Sequence, residues 1–83
     1  MEKVIVEIFV PALDASYDVF IPRTAQMHQV LELIKKAVTE LSSGRFVATE
    51  ETAICYRKSG KLININMTVF ELNIQNGTKL MLI

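Results

Sequence analysis

Met27-His28-Gln29-Val30-Leu31-Glu32-Leu33-Ile34-Lys35-Lys36-Ala37-Val38-Thr39-Glu40-Leu41 is the stretch whose reading decides the fold. Met27, Val30, Ile34, Ala37, Val38 and Leu41 recur at intervals of three and four, with Leu31 and Leu33 at the edges of the stripe. His28, Gln29, Glu32, Lys35, Lys36, Thr39 and Glu40 fall on the other side. That period is an amphipathic helix with one apolar face to bury. Thr24 is the expected N-cap, and Ser42-Ser43-Gly44 the expected end, Gly suiting a left-handed cap.

On both sides of this helix the period is two. Val4-Ile5-Val6-Glu7-Ile8-Phe9-Val10 is short and β-branched, so it reads as a strand with Val4, Val6, Ile8 and Val10 inward. Pro11 to Ser16 reads as a turn, and Tyr17-Asp18-Val19-Phe20-Ile21 as a second strand with Tyr17, Val19 and Ile21 inward, closing an antiparallel hairpin. Beyond the helix, residues 45–51 carry no clear pattern, with Phe46 or Val47 tucked inward. Thr52 to Lys58 is the third expected strand, and Lys61-Leu62-Ile63 a short fourth across the Ser59-Gly60 turn. Ile54, Tyr56 and Leu62 are the expected core residues there.

Thr68-Val69-Phe70-Glu71 has the spacing of a capping box and predicts one short turn of helix. Thr78 to Ile83 follows as the last strand, with Leu80 and Leu82 inward. The order β-β-α-β-β-(turn)-β predicts an α+β domain spanning residues 1–83, its helix packed on one face of a mixed sheet. The first and last strands close that sheet most simply as parallel neighbours at its centre.

Composition bounds the function. Hydrophobic residues are 51% of the 83, enough for a core. A domain this size still buries only about 60–65% of the surface its unfolded chain exposes. Lys plus Arg number 9 and Asp plus Glu number 9, so no basic surplus exists to displace counterions from nucleic acid. Cys55 stands alone, which excludes an internal disulfide and a four-thiolate metal site, and suggests a reducing compartment. The opening run is broken by Glu7 and followed by no small-residue cleavage site, and no run reaches the roughly 20 apolar residues of a membrane span. The expected location is the cytoplasm.

The element order resembles ubiquitin. Thr68-Val69-Phe70-Glu71-Leu72-Asn73-Ile74-Gln75 followed by Thr78-Lys79-Leu80-Met81-Leu82 is similar to the segment leading into ubiquitin's last strand, including the Asn73-Ile74-Gln75 triplet. Ubiquitin and the sulfur carriers of this β-grasp fold end in a flexible di-glycine tail. This sequence stops at Ile83 with one nearby glycine, Gly77, so conjugation and sulfur transfer are not expected. The ending Asn76-Gly77-Thr78-Lys79-Leu80-Met81-Leu82-Ile83, the apolar first strand and the Tyr17-Asp18-Val19 core of the second resemble the YukD-like (EsaB-like) ubiquitin-like proteins of bacterial type VII secretion. That resemblance implies a cytoplasmic accessory protein acting non-covalently on secretion machinery. A related domain precedes the membrane helices of a secretion component in other bacteria. The alternatives are a modifier or sulfur carrier whose tail is missing here, or the soluble domain of a longer membrane protein.

No catalytic site, cofactor or metal is expected. Cys55 and the single histidine, His28, fall on opposite sides of the sheet, so His28 cannot serve as a base for the thiol. Glu50 and Glu51 are adjacent carboxylates that diverge in an extended segment. Arg57, Lys58 and Lys61 make a basic hairpin tip, and Gly44, Gly60 and Gly77 are isolated, so no phosphate loop exists. The informative feature is the sheet face away from the helix. By alternation Ile5, Phe9, Phe20, Cys55, Met81 and Ile83 all point there, a run of apolar side chains expected to take a protein partner or a second copy of the chain.

Overall fold

The computed structural model describes residues 2–83. Four strands, β1 (Lys3–Val10), β2 (Ala15–Pro22), β3 (Ile54–Tyr56) and β4 (Lys79–Leu82), form one sheet in the order β2-β1-β4-β3, with the single helix α1 (Met27–Leu41) packed across it. β1 pairs antiparallel with β2 over eight consecutive positions and parallel with β4, and β3 pairs antiparallel with β4. The parallel pair therefore lies at the centre. The expected inward sets are buried: Val4, Val6, Ile8 and Val10 from β1, Val19 and Ile21 from β2, and Leu80 and Leu82 from β4 meet Met27, Val30, Ile34 and Val38 of α1. Tyr17 is partly buried against the same core.

The hairpin turn is a short 3-10 segment over Pro11–Leu13, closed by Asp14 in the left-handed region at φ 48°. Its compactness lets β2 begin at Ala15, two residues earlier than the alternation suggested.

Helix α1 starts at Met27, not after Thr24. Gln26 occupies the N-cap with extended geometry and no side-chain capping bond. A side-chain cap is not needed, because another part of the chain satisfies the first donors. The Met27 N–H donates to the Met67 carbonyl at 2.8 Å and the His28 N–H to the Ile65 carbonyl at 2.9 Å. At the other end Ser43 (φ 56°) and Gly44 (φ 80°) turn the chain left-handed, and the Gly44 N–H donates to the Thr39 carbonyl. The Ser42 hydroxyl, buried, accepts the Phe46 N–H and so fixes which residue of the next loop turns inward. Phe46 is 8% exposed and Val47 76%. Of the two edge residues Leu31 is buried and Leu33 exposed, and Leu41, expected on the stripe, is exposed because it is the last residue of the helix.

The third strand is shorter than expected, and Lys61 to Ile63 forms a single bridge to β3 rather than a strand. Its in–out assignment is reversed: Leu62 is 62% exposed and Ile63 6%. Leu62 sits opposite Cys55 on the outer face, so its neighbour Ile63 reaches the core. The chain then turns toward the start of α1, and the Thr68–Glu71 capping box closes as expected. The Thr68 N–H donates to Glu71 Oε1 at 2.9 Å and the Glu71 N–H to Thr68 Oγ1 at 3.0 Å. It organises a turn rather than a helix, because Asn73 (φ 56°) reverses the backbone at once.

Candidate interaction surface

The register arranges the outward side chains in cross-strand rows. Phe20 and Ile5 are directly opposite one another on β2 and β1. One step along, Asp18, Glu7 and Lys79 form a charged row. The next row is Ser16, Phe9, Met81, Cys55 and Leu62. Ile83 extends the β4 ladder through reciprocal bonds with Ala53, at 2.9 Å and 2.7 Å. The six residues expected to share the outer face therefore do not form one continuous patch. The charged row separates Ile5 and Phe20 from Phe9, Met81 and Ile83.

Two of the six are not available to a partner in the way the alternation implied. Cys55 is 0% exposed. It is shorter than both of its neighbours, Met81 and Leu62, between which it is set, and its thiol points at the Met81 carbonyl, 3.7 Å away. Burial pushes the Cys55 thiol above its ordinary pKa, the opposite of what a nucleophile requires. Phe9 is half-buried because the Arg57 guanidinium lies over its ring, 4.2 Å from the centroid, and also bonds Glu7 at 3.4 Å. Alternation gave the face of each residue correctly but carries no information about what lies above it.

What remains outward is divided in two. Phe20, 65% exposed, stands over half-buried Ile5 at the β2 edge. Met81, Ile83 and Leu62 gather at the β4–β3 side, with Ile83 and Leu62 mostly exposed. Leu62 was missed because it was assigned to the core, and the bridge to Cys55 is a tertiary fact with no local signature.

Among the described residues no three His, Cys, Asp or Glu side chains come together in a way that could hold a metal ion. His28, on the exposed side of α1, pairs with Gln26 at 2.6 Å. An open groove of about 1050 Å³ runs between α1 and residues 47–50, but Lys35 and Glu32 on its wall are already paired at 3.0 Å. No helix is long and apolar enough to cross a membrane among the described residues.

No family model and no curated protein matches this sequence. Solved structures do. The chain superimposes on the ubiquitin-like domain of the Mycobacterium tuberculosis type VII secretion protein EccD1 with a TM-score of 0.79 at 15% identity, covering 100% of this chain and 99% of that one. The ubiquitin-like domain of EccD5 from Mycobacterium xenopi matches with a TM-score of 0.71 at 18% identity, over 100% of this chain and 94% of that one. A chain of a toluene 4-monooxygenase complex matches at 0.73 and 18% identity, over 98% and 96%. The fold is thus the ubiquitin-like β-grasp, similar in shape to the EccD domains. At these identities the likeness is one of fold, and the monooxygenase match underlines that this fold serves more than one setting.

Proposed function

We propose that this protein is a non-enzymatic interaction module of the type VII secretion kind, cytoplasmic and acting non-covalently, in the manner of the YukD-like (EsaB-like) proteins. The observation that carries the interaction reading is the group of Leu62, Met81 and Ile83, apolar side chains around the buried Cys55 on a face that no element covers among the described residues, with Leu62 and Ile83 mostly exposed. The fold likeness to domains of EccD1 and EccD5 supports the secretion setting. It also supports a second reading, since those matches are domains of secretion proteins: that this chain is the corresponding domain of a longer membrane component. In either case the partners are protein components of the secretion machinery.

The test is an affinity pull-down at native expression, followed by denaturing mass analysis of the bait. Unmodified bait with co-purifying secretion components supports the proposal. Covalent adducts of the bait would replace it with a modifier role. The variant Met81→Glu, folded by circular dichroism, should lose the co-purifying partner, and full recovery by that variant would remove this surface from the proposal.

A further inference from the structure

The β2 edge has an unused hydrogen-bonding row. The Arg23 N–H donates to the Glu2 carbonyl at 3.1 Å, which fixes the phase of the β1–β2 ladder. In an antiparallel pair, bonded and non-bonded positions alternate. Ala15, Tyr17, Val19 and Ile21 therefore bond to β1, while Ser16, Asp18 and Phe20 turn their N–H and C=O groups to the free edge. Among the described residues no group pairs with those three amides or carbonyls. The strand is eight residues long, unbroken in register, free of Lys and Arg, with proline only at its last position. Native edges are usually blunted by bulges, short length, proline or charged side chains; this one is long and free of bulges, its proline stands at the very end, and Asp18 is its one charge.

We infer that this edge is a binding site for an extended segment of a partner protein, which adds to the sheet as a fifth strand beside β2, placing an apolar side chain next to Phe20 and a Lys or Arg next to Asp18. The hydrogen-bond row requires an extended backbone. Side-chain chemistry follows from the outer face of β2. Phe20 is 65% exposed and lies opposite Ile5. Two residues away Asp18 is exposed and forms no ion pair among the described residues, whereas its neighbour Glu7 is held by Arg57. A basic residue in the added strand supplies the missing counter-charge.

Charge also decides against a second copy as the occupant. Self-pairing centred on Asp18 sets two carboxylates face to face. Centring on Val19 places each Asp18 against Phe20 of the other copy, and centring on Phe20 places it against Pro22, which has no N–H to give. No register gives Asp18 a cation. This site is distinct from the Leu62–Met81–Ile83 surface, so either can fail without the other.

The experiment is panning of a random octapeptide phage library on the whole immobilised protein. The expected consensus has Lys or Arg two positions from an aliphatic or aromatic residue. The consensus peptide should slow hydrogen exchange at the amides of Ser16, Asp18 and Phe20. Asp18→Pro removes one edge donor and the carboxylate without touching the β1 ladder, and should weaken that peptide at least tenfold while Met81→Glu leaves it unchanged. Asp18→Lys keeps the donor and should shift the consensus to Asp or Glu, which tests the site even where Asp18→Pro does not fold. No enrichment, a consensus without a basic position, or protection of other amides would overturn the proposal. A concentration-dependent dimer protected at the same three amides would overturn it in favour of self-pairing.

Discussion

At one edge of the sheet β3 has three residues, and the chain itself closes over it. The Tyr56 N–H donates to the Lys61 carbonyl, the Ile54 carbonyl accepts from Ile63, and the Tyr56 carbonyl accepts from Gly60. At the other edge β2 has eight residues, and its outward groups at Ser16, Asp18 and Phe20 meet nothing among the described residues. The closed edge carries a buried core residue, Ile63, and a buried thiol, Cys55. The open edge carries an exposed aromatic and an unpaired carboxylate, Phe20 and Asp18. An edge left open costs a protein some protection from aggregation, so the contrast points to use rather than neglect.

The largest expected effect tests the phase of β2. Val19→Pro removes a ladder donor and a buried side chain and should cost about 3 kcal/mol or more, lowering Tm by at least about 12 °C in a domain this small. Asp18→Pro, one residue away, should cost less than about 1 kcal/mol because its N–H faces solvent. Thermal denaturation followed by circular dichroism reads both, and equal losses would mean that the edge groups are not those at Ser16, Asp18 and Phe20.

The matching pair at the closed edge is smaller. Ile63→Ala empties a core site and should cost about 2–4 kcal/mol, whereas Leu62→Ala should stay within about 0.5–1 kcal/mol. Urea denaturation measures both. A reversed order would return Leu62 to the core, where alternation first put it. Smaller still is Arg57→Ala, which uncovers Phe9 and frees Glu7. Both partners of that ion pair are about a third exposed, so the expected loss is about 0.5–1.5 kcal/mol, most of it from the ring contact, and only weakly dependent on salt.

The sequence was readable wherever a residue's fate depended on its own period. The stripe of α1 as far as Val38, the inward sets of β1, β2 and β4, and the central parallel pair follow from alternation and from the need to bury two apolar faces against each other. Readings failed where a distant segment intervened. Thr24 looked like a cap because local spacing cannot show that the carbonyls of Met67 and Ile65 would receive the first helical donors. Leu62 and Ile63 are adjacent and equally apolar, and only the bridge to Cys55 decides which turns in. The outer face was drawn as one patch because alternation counts faces and does not see rows. That Asp18, Glu7 and Lys79 line up across three strands is a matter of register.

Cys55 gives the finest measure of how closed the β3 edge is. Burial disfavours the thiolate, so the folded chain keeps its proton to a higher pH than the unfolded chain, whose thiol titrates near 9.0. This group's contribution is therefore fully present below that pH and is lost as pH rises through the raised folded value. The urea midpoint of the wild type should fall more between pH 8 and pH 10 than that of Cys55→Ala, with every other titrating group common to both chains. Iodoacetamide should label the native thiol far more slowly than the unfolded one, since the thiolate is both scarce and covered. Leu62→Ala removes one of the two larger side chains flanking Cys55 and should speed that labelling with little loss of stability. Labelling that is fast in the wild type, or unmoved by Leu62→Ala, would mean that something other than Leu62 and Met81 covers the thiol, and the closed edge would have to be redrawn around it.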